Sequence, residues 1–174
     1  MAIKDRNIYF YTGTIQNWQP VFYDFPQTID IVLKGMEYIV TNEDVKIYAF
    51  VIMKDHIHIV WEFGNSLLID DILNRFRRYT GKAIMEFIRN IDEEYLNHFK
   101  SERLDRVHKI WKINPSNFHL INEAIVIQKI GYINDNPTKG DYEVVDCSEN
   151  YLHSSAKAYL ENRSNYSFLT LFDA

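Results

Sequence analysis

The feature that most constrains the fold is a pair of adjacent apolar runs near the middle of the chain. Residues 45–53 (VKIYAFVIM) form a continuous run rich in β-branched and aromatic residues, which is typical of a strand buried on both faces. Residues 56–63 (HIHIVWEF) form a second run after a short break at Lys54 and Asp55. Two such runs joined by so tight a connection predict an antiparallel hairpin at the centre of a sheet.

The elements on either side of this hairpin indicate the fold class. Alternation predicts a strand over residues 7–14, and apolar residues at helical spacing predict a helix over 27–40. A longer helix is predicted over 66–89 with Ser66 as its N-cap, and a weak alternation predicts a last strand over 108–113. The order strand, helix, strand, strand, helix, strand predicts an α+β, ferredoxin-like split βαβ fold, with an antiparallel sheet of four to five strands and helices on one face.

Further helices are predicted after this core. Apolar spacing predicts a helix over residues 123–136, which Pro137 ends because a residue before proline avoids the α region. A C-terminal helix is predicted near 155–160. We expect a single domain over residues 1–174, with an insertion loop at 90–106 and a C-terminal extension at 148–174.

Charge and composition exclude several classes of protein. The formal net charge of −5 over 174 residues argues against a general nucleic-acid coat, which is normally basic, but it leaves room for a local basic groove. Cys147 stands alone, which excludes a disulfide scaffold. The longest apolar stretch is interrupted at Lys54 and Asp55, short of the ~20 apolar residues of a membrane span. The first residues lack an apolar leader, so we expect a cytoplasmic protein.

Two histidines stand one residue apart on the second strand of the hairpin. Because side chains alternate along a strand, His56 and His58 project from the same face. Two neutral imidazoles side by side form a natural bidentate site for a divalent metal. The alternative is a pair of half-buried histidines without a ligand, and the spacing by itself leaves both interpretations open.

A tyrosine and an asparagine share one face of the helix that is predicted to end at Pro137, and both lie near that end. Tyr132 and Asn136 are four residues apart, so a phenol and an amide face the same point in space, with Gln128 one turn earlier. The alternative is an ordinary helix end with a packed tyrosine. Spacing alone does not decide between them.

Three segments taken together resemble a known family. VIMKDHIHIVWE, GYINDNPTKG and YLHSSAKAYL occur in the order and approximate spacing of the conserved segments of the HUH-class single-tyrosine transposases. The nearest members are the insertion-sequence-type and REP-associated tyrosine transposases, and the resemblance covers essentially the whole chain.

The resemblance implies an activity and a set of site residues. It implies a ferredoxin-like enzyme that nicks and rejoins single-stranded or hairpin DNA through a 5′-phosphotyrosine intermediate. Tyr132 would be the nucleophile, and His56, His58 and Asn136 would hold Mg²⁺ or Mn²⁺. Some members of the family are dimers in which the tyrosine helix serves the partner, and others are monomers, so both states remain open here.

The chain departs from the family before the first histidine. Lys54 and Asp55 stand where the family usually has Pro-Asn, which removes a rigid turn and adds a carboxylate beside the metal site. Asp55 is either an orienting partner for a histidine or a simple turn residue. The altered turn and the acidic charge also favour an alternative function: a domesticated relative, catalytically weak or inactive, that binds structured DNA or RNA. A further alternative is a small structural domain in which the histidines are incidental.

Basic residues on the long helix and after it are candidates for gripping a DNA backbone. A solvated helix face would carry the same pattern, so both interpretations remain open. The DNA-binding candidates are Arg75, Arg77, Arg78, Lys82 and Lys109.

Overall fold

The computed structural model describes residues 3–100, 108–139 and 144–173, without the side chain of Lys4. Each strand of the predicted hairpin forms where the apolar pattern places it. The strands are β1 (Asn7–Thr14), β2 (Val45–Ile52), β3 (His56–Phe63) and β4 (Ser116–His119). The α-helices are α1 (Val21–Asp24), α2 (Thr28–Asn42), α3 (Ile69–Ile91), α4 (Glu123–Asp135) and α5 (Ala156–Glu161). Short 3-10 helices occur at Ile3–Asp5, Gln16–Trp18, Ser66–Leu68, Glu94–Phe99, Asn136–Thr138 and Ser148–Asn150.

The sheet has the predicted ferredoxin-like topology. In the described part of the chain its four strands lie in the order β2-β3-β1-β4, and every neighbouring pair is antiparallel. Because β1 and β3 occupy the centre, the residues of β3 are buried between two layers of the fold. The predicted α+β class is therefore confirmed.

The two faces of the sheet pack against different helices. Ile57, Ile59 and Trp61 of β3 join the apolar cluster that includes residues of α2 and α3. Val60 joins a second cluster that includes residues of α4, so α4 covers the opposite face. Since side chains alternate along β3, His58 lies on the α4 face with Val60.

The prediction of the last strand was wrong in position. Residues 108–113 form no strand: Trp111 makes an isolated bridge to Ile15, and its Nε1 donates to Thr80 Oγ1 on α3 at 2.9 Å. The chain then turns at Asn114, whose φ of 58° is left-handed, and returns along β1 as β4. Ile110 and Trp111 are buried by packing in a loop, and this burial gives them the apolar pattern of a strand.

The start of the long helix also differs from the prediction. Asn65, and not Ser66, caps the first turn, since its side-chain oxygen accepts from the backbone N–H of Leu67 at 2.9 Å. A 3-10 turn then leads into α3, which ends at Ile91, two residues beyond the predicted end. The predicted insertion loop begins within the end of α3 and includes a 3-10 helix, and its residues 101–106 lie outside the described part of the chain.

The C-terminal extension packs on the β2 edge of the sheet. Leu169 bridges Ile47 in a parallel pairing, and Thr170 N–H donates to the Ile47 carbonyl at 2.9 Å. Phe168 and Leu169 are buried in the core. None of the described helices combines the length and the apolarity that crossing a bilayer requires.

Candidate active site

Strand β3 presents both histidines to the α4 face of the sheet. The ring centroids of His56 and His58 are 4.8 Å apart, as the one-residue spacing predicts. In the antiparallel register His58 faces Thr12 of β1, and His56 faces Thr14. The hairpin geometry therefore fixes where the two imidazoles stand before any ligand is considered.

Each imidazole also has a polar partner for its Nδ1 atom. Thr12 Oγ1 lies 2.8 Å from His58 Nδ1, and Asp55 Oδ1 lies 2.7 Å from His56 Nδ1. A carboxylate can only accept, so His56 Nδ1 carries the proton and the lone pair of the neutral ring lies on Nε2. Second-sphere partners of this kind orient histidines for metal binding.

Asp55 has the geometry of an orienting partner. It is 3% exposed, and its backbone carbonyl accepts from Ile15 N–H at 2.8 Å. The turn is thereby anchored to the end of β1, and the carboxylate is held against His56. Of the two interpretations that the sequence leaves open, the structure favours the orienting one.

Burial keeps His58 neutral. The imidazole is 6% exposed, and desolvation lowers the pKa of His58 to about 3, with a further lowering from electrostatic interaction with His56 and Lys129. A neutral imidazole is the form that binds metals. His58 is thus in its ligand form at every pH near neutrality.

Helix α4 brings Tyr132 to the same place. The ring centroids of Tyr132 and His58 are 5.5 Å apart within one chain. Phe10 fills the space beneath them, stacked on His58 at 5.2 Å and edge-on to Tyr132 at 5.9 Å. Tyr132 remains 43% exposed, so the phenol is open to a ligand while the imidazole below it is buried.

Asn136 lies one turn beyond Tyr132, at the point where α4 becomes a 3-10 helix. Its backbone is still helical (φ −55°, ψ −40°), so the predicted four-residue spacing to Tyr132 holds. Its Oδ1 atom is buried and has no hydrogen-bond partner among the described residues. A buried amide oxygen of this kind is suited to a cation or a donor group of a ligand.

The donor types of these side chains are compatible with a weakly held divalent metal. Among residues 3–100, 108–139 and 144–173 there is no group of three or more His, Cys, Asp or Glu side chains placed for a metal, so histidine and carboxylate alone do not complete a site. His56, His58 and the orphaned oxygen of Asn136 offer two nitrogens and one oxygen. Imidazole nitrogens and an amide oxygen are donor types that suit Mn²⁺ and, more weakly, Mg²⁺, with remaining positions left for water or phosphate oxygen.

A serine in the C-terminal extension ties α4 to the sheet. Ser155 Oγ donates to Asn134 Oδ1 at 2.6 Å, and the backbone N–H of Phe50 on β2 donates to the same hydroxyl at 3.1 Å. Ser155 is fully buried. One hydroxyl thus links the extension, the edge strand and the helix that carries Tyr132.

Four of the five predicted DNA-binding residues line one groove. The groove has a volume of about 850 Å³ and lies between α3 and residues 108–117. Arg75 lies outside it and pairs with Glu43 at 2.8 Å. The residues of the predicted set that line the groove are Arg77, Arg78, Lys82 and Lys109.

The groove and Tyr132 lie on opposite faces of the sheet. Asn117, which lines the groove, pairs in register with Tyr11, and Tyr11 belongs to the core on the α2 and α3 side. His58 and Tyr132 stand on the α4 side. The short edge strand β4 separates the two regions.

Sequence reasoning missed one residue of the site. Gln128, placed beside Tyr132 by spacing, is exposed, whereas Lys129 extends over the rings of Phe10 and Tyr132, with Nζ 4.7 Å and 5.4 Å from their centroids. The signal was available, because a residue three positions before Tyr132 shares its helix face.

Comparison with known proteins identifies the family of the chain and a solved structure of similar fold. The sequence model of the family described as "Transposase IS200 like" matches residues 19–115, more than half of the 174 residues. A solved structure of a REP-associated tyrosine transposase bound to a REP hairpin has a TM-score of 0.59 and 14% identity, covering 97% of this chain and 93% of that chain. A candidate transposase from Deinococcus radiodurans R1 has a TM-score of 0.49 and 11% identity, covering 75% and 90%. No curated protein matches the sequence.

Proposed function

The chain belongs to the family of IS200-like transposases, and on that premise we propose that it nicks and rejoins single-stranded DNA through a 5′-phosphotyrosine at Tyr132. The observation that carries the proposal is the convergence, within one chain, of the Tyr132 ring and the His58 ring at 5.5 Å. This closeness within one chain supports a site that is assembled in cis. The partial exposure of Tyr132 leaves room for a phosphodiester above it.

The chemistry divides among the residues as follows. The Tyr132 oxygen, after its proton passes to solvent, attacks the phosphorus; a Tyr–O–P bond forms, and the bond to the 3′-oxygen breaks. The released 3′-oxygen takes a proton from water, and rejoining reverses these steps with another 3′-hydroxyl. His56, His58 and Asn136 would hold a divalent metal ion, whose chemistry when bound is to polarise the scissile phosphate and neutralise charge on the leaving oxygen.

The partner of the protein is proposed to be hairpin DNA with a single-stranded flank. The structurally similar REP-associated tyrosine transposase is described as bound to a REP hairpin. In this chain the groove lined by Arg77, Arg78, Lys82 and Lys109 supplies positive charge for the phosphate backbone despite the net charge of −5. We propose that this groove binds the duplex. The α4 face of the sheet would bind the single strand that is cut.

A second candidate function is binding of structured DNA or RNA without strand cleavage. The observation that favours it is the burial of His58, which is only 6% exposed and offers a metal limited access. In this case the groove would retain its role and the α4 face would be inactive.

Formation of a covalent adduct separates the two candidates. The wild-type chain is incubated with Mn²⁺ and labelled hairpin oligonucleotides that carry randomised single-stranded flanks, and the products are resolved under denaturing conditions. We expect an adduct that is lost in Tyr132→Phe and retained in Tyr38→Phe. Tyr38 is a matched control because it is 63% exposed on α2, on the other side of the sheet.

The other outcomes are equally informative. Binding of the hairpin without an adduct would support the second candidate. An adduct that persists in Tyr132→Phe would refute the assignment of the nucleophile.

A further inference from the structure

Lys129 is held directly over the aromatic floor of the site. It lies three residues before Tyr132, on the same face of α4. Its Nζ atom is 4.7 Å from the centroid of Phe10 and 5.4 Å from that of Tyr132. The ammonium group thus lies close to two rings from different elements, one of which is the partly exposed ring of Tyr132.

This ammonium differs from other lysines near it in the chain. Lys139 pairs with Asp135 at 2.9 Å, and Lys157 lies 3.7 Å from Glu161, each an ordinary pair four residues apart. Lys129 is half-buried, and within the described residues it takes part in no ion pair with a carboxylate. Contact with ring faces leaves the three N–H donors of the ammonium only partly satisfied.

An anion is the ligand that completes this arrangement. A phosphodiester carries one negative charge and two acceptor oxygens, and an ammonium binds it as a compact point charge. A phosphate close enough for attack by the Tyr132 oxygen would lie beside the ring whose centroid is 5.4 Å from Lys129 Nζ, within reach of the flexible lysine side chain. We propose that Lys129 binds a backbone phosphate of the single strand beside Tyr132, as a catalytic residue that contacts the substrate.

The proposal rests on the proposed function for the identity of the anion. It differs from a purely structural role, in which Lys129 would only pack on Phe10 and Tyr132 and help to hold α4 on the sheet. A structural role predicts a loss of stability without a change in the number of phosphate contacts. A substrate role predicts the loss of one phosphate contact, which salt dependence measures directly.

The experiment uses the full chain with Tyr132→Phe, so that DNA is bound and not cut while the ring beneath Lys129 remains. Binding of a fluorescent hairpin with a randomised single-stranded flank is followed by anisotropy over a series of salt concentrations. We expect Lys129→Gln to weaken binding about tenfold, as loss of one charge-assisted contact implies. The slope of log affinity against log salt should fall in magnitude by about 0.7.

Two further variants control for charge and for folding. Lys34→Gln makes the same change of charge on α2, on the other side of the sheet, and should leave the slope unchanged. Lys129→Arg keeps the positive charge and should show the same salt slope as the chain with Lys129. Thermal unfolding of each variant shows whether the fold is intact at the temperature of the assay.

The results distinguish failure of this inference from failure of the proposed function. If Lys129→Gln and Lys34→Gln bind with the same affinity and slope, Lys129 has no phosphate contact and the inference is overturned, whether or not the wild type forms a tyrosine adduct. If the slope falls only in Lys129→Gln while the wild type forms no adduct, the phosphate site stands and the cleavage function fails.

Discussion

Replacing Ser155 by alanine tests whether one hydroxyl holds the tyrosine helix to the sheet. The substitution removes the donor to Asn134 Oδ1 and the acceptor for Phe50 N–H, both at a fully buried position. A net hydrogen bond is worth about 1 kcal/mol, and a buried group left without a partner costs about 1–3 kcal/mol. We therefore expect the free energy of unfolding to fall by about 2–3 kcal/mol.

The neighbouring serine provides a matched control. Ser154 is also buried, and its hydroxyl donates to the Tyr151 carbonyl at 3.0 Å and accepts from the backbone N–H of Ala156 at 3.3 Å, but it makes no hydrogen bond to α4 among the described residues. Ser154→Ala should cost less than Ser155→Ala, about 1–2 kcal/mol, because the bond that its hydroxyl accepts from Ala156 N–H is long at 3.3 Å. Urea and thermal unfolding measure both variants; at this chain length each kcal/mol lowers Tm by about 2–4 °C.

A double-mutant cycle isolates the link to α4. Combining Ser155→Ala with Asn134→Ala should give a coupling energy of about 1 kcal/mol, because the two side chains share one hydrogen bond at 2.6 Å. Combining Ser154→Ala with Asn134→Ala should give none. If the Ser155 cycle is additive within about 0.5 kcal/mol, the hydroxyl does not hold the helix and the reasoning is refuted.

Three other predictions concern the metal site, the pH dependence and the groove. Asp55→Asn should weaken Mn²⁺ binding by roughly tenfold, because the carboxylate that orients His56 is lost. Electron paramagnetic resonance of free Mn²⁺ measures the affinity, and an unchanged value would make Asp55 a turn residue only. The hydrogen bond from Arg6 holds the pKa of Glu62 below its usual value of 4.5, so this pair stabilises the fold above pH 4.5. That stability is lost as the pH falls through the lowered pKa. The difference in unfolding free energy between wild type and Glu62→Gln should therefore shrink in acid, and a constant difference would contradict this. Arg78→Gln should lower the salt slope of hairpin binding by about 1, while Arg75→Gln, on the same helix but outside the groove, should not; equal slopes would remove the groove from the interface.

The parts of the fold that sequence predicts well are those where burial and pattern coincide. The bounds of β1 and β3 match the predicted strands. The alternation of residues in β1 and the dense apolar residues in β3 each leave a single possible register. Strand β4 was missed for the opposite reason. Its four residues are largely exposed, and Phe118 is 61% exposed, so no apolar pattern marks it. Its pairing depends on the turn at Asn114, which sequence does not reveal.

The site shows the same division between local and distant contacts. The relative placement of His56 and His58, and of Tyr132 and Asn136, follows from strand and helix periodicity. That the two pairs meet depends on which face of the sheet α4 covers, and apolar spacing alone does not specify this.

Contacts between residues far apart in the sequence could not be predicted from local patterns. The bond between Ser155 and Asn134 joins residues 21 apart in sequence through packing on β2, and no local rule relates them. Lys129 could have been identified from its helix position, although the closeness of Phe10 could not.

The placement of the groove and Tyr132 on opposite faces has a consequence for where a strand would be cut. Under the proposed function, a nucleic acid held in the groove would pass around the edge strand β4 to reach Tyr132, because the four residues of β4 lie between the two regions. The thickness of the protein at this edge strand would then fix the distance between the bound duplex and Tyr132. Under the proposed function, the number of unpaired nucleotides between the foot of the hairpin and the nick would be constant, whatever their sequence.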